Sequence, residues 1–267
     1  MPTVEDNQRV WNSDYHWAAS GEEWSSAWGD SSAQWFGTIL PRIHSHLPAA
    51  TIVEIAPGRG RWSQYLIPDC KEYMGYDLSA SCVSACKTRF AAQSHASFFQ
   101  TAGKELHSTA DESVDFVFSF DSLVHAEMDV MQAYMAEIFR VLRPGGTAFV
   151  HHSNAASYPV YFGMFGRLPG YRRLTQVLPL EYSNWRGLSV SGDKVIAAAR
   201  KVGMRALVQE RINWNSTRLL DCMTTLAKAG HPEKSDCVVY NNPGFMSEAA
   251  AVRRMSTAYS VARTHAK

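Results

Sequence analysis

Two side chains four residues apart, Asp121 and His125 in the stretch FDSLVHAE, are of the types that move protons. A neutral imidazole accepts a proton near physiological pH, and a carboxylate beside it orients the ring or meets a cation. A hydroxyl is a poor nucleophile while protonated, so such a pair suits the activation of an oxygen nucleophile. The stretch VHHSN adds His151, His152 and Asn154. Alternation along a strand turns adjacent side chains to opposite faces, so only one of the two histidines is expected to see a cleft. Asp121, His125 and His151 form an alternative set for a divalent metal such as Mg that binds acceptor hydroxyls. Their spacing matches no metal motif, and the reading without a metal is preferred.

A third stretch, TIVEIAPGRGRW, runs an apolar strand into a Gly-Arg-Gly turn. It lacks the Lys-Ser/Thr of a phosphate-binding Walker loop. The dinucleotide fingerprint needs a third glycine, where this chain has none after Gly58 and Gly60, and Pro57 is unusual in such a turn. What remains is the rule that ligands bind beyond the carboxyl ends of parallel strands, where glycine lets them approach bare backbone.

The elements that would place these residues alternate along the chain. TIVEIA, KEYMGYDL, ASFFQT, SVDFVFSF and TAFVHHS read as strands. SASCVSACKTRFAAQ, with Ser79 as its cap, and DVMQAYMAEIFRVL, stopped by RPGG, read as helices between them. This alternation predicts a doubly wound parallel sheet. Residues 1–50, with Trp24, Trp28, Trp35, Ile39 and Ile43 near helical spacing, read as a helical N-terminal lid segment. Residues 51–154 form the core and 155–190 an aromatic insert. Residues 191–245 complete the sheet as helix, strand (MRALVQERINW), helix (STRLLDCMTTLAKAG) and strand (SDCVVYNN), and 246–267 form a frayed, helix-prone tail.

A formal net charge of +1 argues against a nucleic-acid binder working through a basic face. The start has acidic residues and no apolar run, and no stretch is long and apolar enough for membrane insertion, so neither a signal peptide nor a span is expected. Five cysteines, without a C-x-x-C pair, point to a reducing cytoplasm rather than a disulfide framework.

VEIAPGRGRW, YMGYDLS, SVDFVFSFDSLVH and RVLRPGGTAFVHHSN, in this order, resemble the successive motifs of class I S-adenosylmethionine-dependent methyltransferases. The resemblance implies a Rossmann-like seven-stranded methyltransferase sheet with helices on both faces, plus the N-terminal lid and the inserted lid. It implies S-adenosylmethionine as cofactor, held by Glu54, Ala56, Gly58, Gly60, Trp62, Asp77, Leu78, Gly103, Phe120 and Asp121. Gly58 and Gly60 would border the methionine part, Asp77 would take the ribose hydroxyls and Leu78 would lie along the adenine. Ala102 stands where the family often has an acid for the adenine amino group, which leaves backbone near Ala102 and Gly103 for that task. The Asp-x-x-x-His arrangement resembles that of small-molecule methyltransferases, and implies His125 as general base, with Asp121 orienting it or meeting the methionine amine. Tyr15 is a further catalytic candidate.

For the acceptor, aromatic and hydrogen-bonding residues of the two covering segments suit a saccharide or a phenol. His152, Asn154, Tyr182, Trp185 and Arg186 are the expected acceptor contacts. The favoured reading is O-methylation of a small or oligosaccharide acceptor. N-methylation of a small amine, a nicotinamide-dependent oxidoreductase and a silent binding module are the alternatives.

Overall fold

The computed structural model describes residues 3–164, 185–229 and 236–260. Strands β1 (Ala49–Ile55), β2 (Cys70–Asp77), β3 (Ala96–Gln100), β4 (Val114–Ser119), β5 (Leu142–Ser153), β6 (Arg205–Ile212), β7 (Asp221–Ala227) and β8 (Val238–Asn242) form one sheet. Their order is β3-β2-β1-β4-β5-β7-β6-β8. The first five are parallel, whereas β7 runs antiparallel to both β5 and β6. The order reverses between β1 and β4, so their carboxyl ends open a crevice of the kind that holds ligands.

Eight strands stand where seven were expected. SDCVVYNN is the eighth, β8, which pairs parallel to β6 at the sheet edge. The antiparallel seventh, β7, comes from LLDCMTTLA, which the sequence presented as a helix. All seven residues of β7 are buried. A strand covered on both faces carries no polar alternation, so its periodicity cannot be told from that of a buried helix.

Successive residues of the central strands feed two cores. Val53, Ile55, Val117, Ala148 and Val150 pack under α6 (Met128–Val141) and α7 (Gly192–Lys201). Ile52, Phe116, Phe118 and Phe149 face the other way, onto an aromatic layer with Trp28, Trp35, Trp62 and Trp214. That layer is supplied largely by the N-terminal segment, where α2 (Ser31–Gln34) and α3 (Leu40–Ile43) are joined through a π-helical stretch, Trp35–Ile39. Trp28 is fully buried and its indole N–H donates to Thr38 Oγ1 at 2.8 Å, so the ring adds apolar area without stranding a polar atom. Within the helix-prone tail, residues 246–260 belong to helix α8 (Phe245–Ser260), whose Phe245 and Ala249 enter the same core, and 261–267 lie outside the described residues. The small helices α4 (Ser63–Leu66) and α5 (Ala80–Arg89) follow β1 and β2, and α5 is capped by Ser79, as its sequence implies. Among the described residues no helix is long and apolar enough to cross a membrane.

The turn after β1 is strained at one point. Ala56 takes φ of 58°, a left-handed conformation that suits glycine, while its N–H donates to Tyr76 O at 2.7 Å. A β-carbon there costs about 1–2 kcal/mol, against about 0.5–1 kcal/mol of extra unfolded-state freedom for glycine. Ala56→Gly is therefore expected to stabilise the protein by up to about 1 kcal/mol, read as a higher midpoint in thermal unfolding. A lower midpoint would show that the methyl group's contacts outweigh the strain.

Candidate active site

The carboxyl ends of β1, β2 and β4 surround a cavity of about 110 Å³. Ala56, Gly58, Asp77, Leu78, Gly103, Asp121 and His125, far apart in sequence, all line it. Asp77 ends β2 almost wholly buried, and its two carboxylate oxygens accept the N–H groups of Gly58 and Ser79 at 2.8 Å each. Burial pushes its pKa up to about 6 against the pull of those N–H groups. Gly58, at φ of 59°, leaves the turn open: a β-carbon there would lie 3.3 Å from Trp17.

The N-terminal segment roofs this cavity. Val4 and Asn7 of helix α1 (Val4–Arg9) and the rings of Trp11, Trp17 and Trp24 face into it. Asn7 ties roof to floor, since its Nδ2 donates to His125 O at 3.1 Å while its Oδ1 accepts the indole N–H groups of Trp11 and Trp185. Among the described residues the charged ones lining this cavity are Asp77, Asp121 and Glu127, with no Lys or Arg, and Asp121 is paired with Arg61. A polyphosphate would meet carboxylates there, whereas a sulfonium nucleoside with a free amine and a ribose diol suits such walls.

Beside it lies a second cavity of about 540 Å³, with Glu23, Trp28, Arg186 and Trp214 in its walls. Four residues line both: Trp11, Trp24, Asp121 and His125. His125 therefore stands at the junction. Its Nδ1 lies 3.0 Å from Trp185 O, and a carbonyl only accepts, so Nδ1 carries the proton and Nε2 keeps its lone pair. Gly187 N–H donates to Val124 O at 2.8 Å and braces the same contact. Burial, aided by the positive charge of Arg186, pushes the His125 pKa down to about 4, so the ring is neutral above about pH 5. Asp121 sits at φ of 64°, its carboxylate paired with Arg61 Nη2 at 2.8 Å.

Other expected residues stand elsewhere. The structure puts Trp62 and Phe120 in the aromatic core, packed edge-to-face at 5.7 Å, and neither lines the smaller cavity. Gly60 does not line the smaller cavity, and a β-carbon there would approach the Phe90 ring to 2.5 Å. Tyr15 lines neither cavity; its hydroxyl donates to Glu23 Oε1 at 3.0 Å, and burial, with that partner, pushes its pKa up to about 12. His152 and Asn154, expected as acceptor contacts, line neither cavity: both are buried, His152 between Ser153 O and Thr224 Oγ1 and Asn154 on Leu219 O and Gly192 N–H. His151 also lines neither cavity, but its Nδ1 accepts the backbone N–H of Asp121, which lines both, at 3.0 Å. Trp185 and Arg186 do line the second cavity. Tyr182, with Arg172, Arg173 and Asn184, lies outside the described residues. Among the described residues no three His, Cys, Asp or Glu side chains gather as a metal site. The alternative set is divided, since Asp121 meets Arg61 and His125 meets Trp185.

Glu54 also stays out of the cavity. Its buried carboxyl accepts hydroxyl protons from Ser63, at 2.7 Å, and from Tyr73. Burial pushes its pKa up to about 7, outweighing both bonds, from 4.5 when unperturbed. Between about pH 4.5 and 7 folding takes up a proton at this group, so its contribution to stability falls as pH rises and levels off above about 7. The melting temperature of Glu54→Gln, relative to the native protein, is therefore expected to climb between about pH 5 and 7 and then level. A difference independent of pH would contradict this.

The model of the methyltransferase domain family matches residues 52–146, a segment that carries Gly58, Asp77, Gly103, Asp121 and His125. No curated protein matches the chain. Among solved structures, it is similar to N-methyltransferase NodS from Bradyrhizobium japonicum in complex with S-adenosylhomocysteine, at 17% identity over 87% of this chain and 100% of that one, TM-score 0.55. An S-adenosylmethionine-dependent methyltransferase from Clostridium acetobutylicum aligns at 12% identity over 77% and 92%, TM-score 0.53. The [4+2]-cyclase SpnF aligns at 13% over 72% and 80%, also with TM-score 0.53. Identities this low show the fold alone. The segment matched by the family model holds most of the residues that line the smaller cavity.

Proposed function

We propose that this S-adenosylmethionine-dependent methyltransferase methylates a hydroxyl of a saccharide or natural-product acceptor, with His125 accepting the hydroxyl proton. The observation that carries the reading is the place of His125, at the junction of the two cavities with its proton on Nδ1 and its Nε2 lone pair unprotonated. The bound cofactor supplies an activated methyl group. The protein's part is to align the acceptor oxygen with it, exclude water and take the proton. Trp24, Trp28, Trp185 and Trp214 give the larger cavity flat apolar walls, and Glu23, Asn215 and Arg186 give it hydrogen-bonding groups, a combination suited to sugar rings or phenols. Asp77, Leu78 and Gly103 hold the ribosyl adenine in this reading, and Asp121 meets the methionine amine. Transfer uses no metal, and the chain works in the cytoplasm, in keeping with five free thiols.

A small amine is the second reading, favoured by the low His125 pKa, since an amine that arrives neutral needs no strong base. Because a [4+2]-cyclase shares the fold, the reaction itself needs a direct test. An acceptor screen with methyl-labelled cofactor, across monosaccharides, oligosaccharides, phenols and amines, provides it. Label is expected in a hydroxylated acceptor. Label in amines alone would move the proposal to N-methylation, and none in any class would favour a binding or non-transferring role.

A further inference from the structure

Asp121 holds a conformation that side chains rarely adopt, at φ of 64°, at the spot where both cavities meet. Such a conformation persists where its surroundings over-determine it. Its backbone N–H donates to His151 Nδ1 at 3.0 Å, and His151 is completely buried between the rings of Phe120, at 4.7 Å, and Trp214, at 5.2 Å. An accepting Nδ1 puts the imidazole proton on Nε2. That nitrogen lies 3.4 Å from Asp221 Oδ2, without the alignment of a hydrogen bond. Asp221, at the start of β7, is itself clamped by Arg186 through Nε at 3.0 Å and Nη2 at 2.7 Å.

A buried chain thus runs from Arg186, in the wall of the larger cavity, through Asp221 and His151 to the backbone of Asp121. We infer that His151 is a positioning residue, oriented by the buried Arg186–Asp221 pair, that holds Asp121 in its left-handed conformation and so, with Asp121 Oδ2 on Arg61 Nη2 at 2.8 Å, aims Oδ1 at the cofactor's amine. The carboxylate of Asp221 faces the Nε2–H edge of the ring and disfavours the other tautomer, in which Nδ1–H would oppose the Asp121 N–H. The ring is packed so that a flip would turn carbon toward both partners. The inference rests on the cofactor assignment of the smaller cavity and is independent of the acceptor and of any role of His125.

The test is calorimetric titration of S-adenosylhomocysteine, which keeps the amine and needs no acceptor. His151→Phe keeps the ring stack but removes the acceptor for the Asp121 N–H, and is expected to weaken binding about tenfold. His151→Asn places an oxygen near the Nδ1 position and is expected to stay within about threefold of the native protein. In an Asp121→Ala background the His151→Phe loss should vanish, because the group being positioned is gone. Equal affinities for the Asn and Phe variants, or the same Phe loss in both backgrounds, would overturn the inference. If His151→Phe fails to fold, nitrogen NMR of the unaltered protein decides. An Nε2–H tautomer for His151 is expected, and an Nδ1–H tautomer would overturn it. No heat with the native protein would remove the cofactor site and this inference with it.

Discussion

Replacing His125 with alanine is expected to lower turnover by about 10²–10⁴-fold, the range for a lost general base. Affinity for S-adenosylhomocysteine should change by less than about threefold, because the cavity keeps Asp77, Gly58 and Asp121 as its polar partners. The pH profile adds a sharper criterion. A base must be unprotonated to act, and burial together with Arg186 pushes the His125 pKa down to about 4. Turnover should therefore rise as pH climbs through about 4 and stay flat from about pH 6 to 8, where an ordinary histidine would still be titrating. Single-turnover kinetics with the acceptor found in the screen would show this. A variant that turns over at the native rate would remove His125 from the chemistry and leave it as a brace between Trp185 and Asn7.

Replacing Asp77 with alanine is expected to weaken S-adenosylhomocysteine binding by about 10²-fold or more. Each hydrogen bond to a charged group contributes about 1.5–3 kcal/mol, and a ribose diol would make two with this carboxylate. Asp77 also holds the Gly58 and Ser79 N–H groups, so the loss includes a loosened glycine turn. Asp77→Asn keeps one acceptor oxygen and should fall between. Calorimetry measures both, and native-like affinity in the alanine variant would place the ribose elsewhere. The elevated pKa of Asp77, about 6, adds that native affinity should decline as pH drops below about 6 and the carboxylate takes up a proton.

Much of the sheet was legible because its central strands are short apolar runs between clear helices, as in SVDFVFSF and DVMQAYMAEIFRVL. The motif order then brought Gly58, Asp77, Gly103, Asp121 and His125 to one edge, and the structure gathers them around one cavity. The residues misplaced by sequence share a physical cause. His151 and His152 are adjacent on a strand, and a choice of face by parity is lost with an error of one residue. His152 was named for the acceptor, yet it is His151 that reaches the backbone of Asp121. Asp221 was hidden because β7, buried on both faces, carries no alternation and reads as helix. Asn7 and Glu23 lie on short, irregular helical pieces, where polarity alone says nothing about what a side chain reaches. Glu54, Trp62 and Phe120 sit in or beside the right motifs, but their side chains pack the scaffold behind the turn, where Gly60 leaves room for the Phe90 ring. A motif fixes where the backbone goes more firmly than which of its side chains meets a ligand.

Crystals of the protein grown with S-adenosylhomocysteine provide the most direct measurement. The account expects the ribose hydroxyls on the Asp77 carboxylate and the sulfur at the opening between the two cavities, beside Asp121 and facing His125 Nε2. A sulfur turned away from the 540 Å³ cavity, or a ribose held away from Asp77, would contradict it.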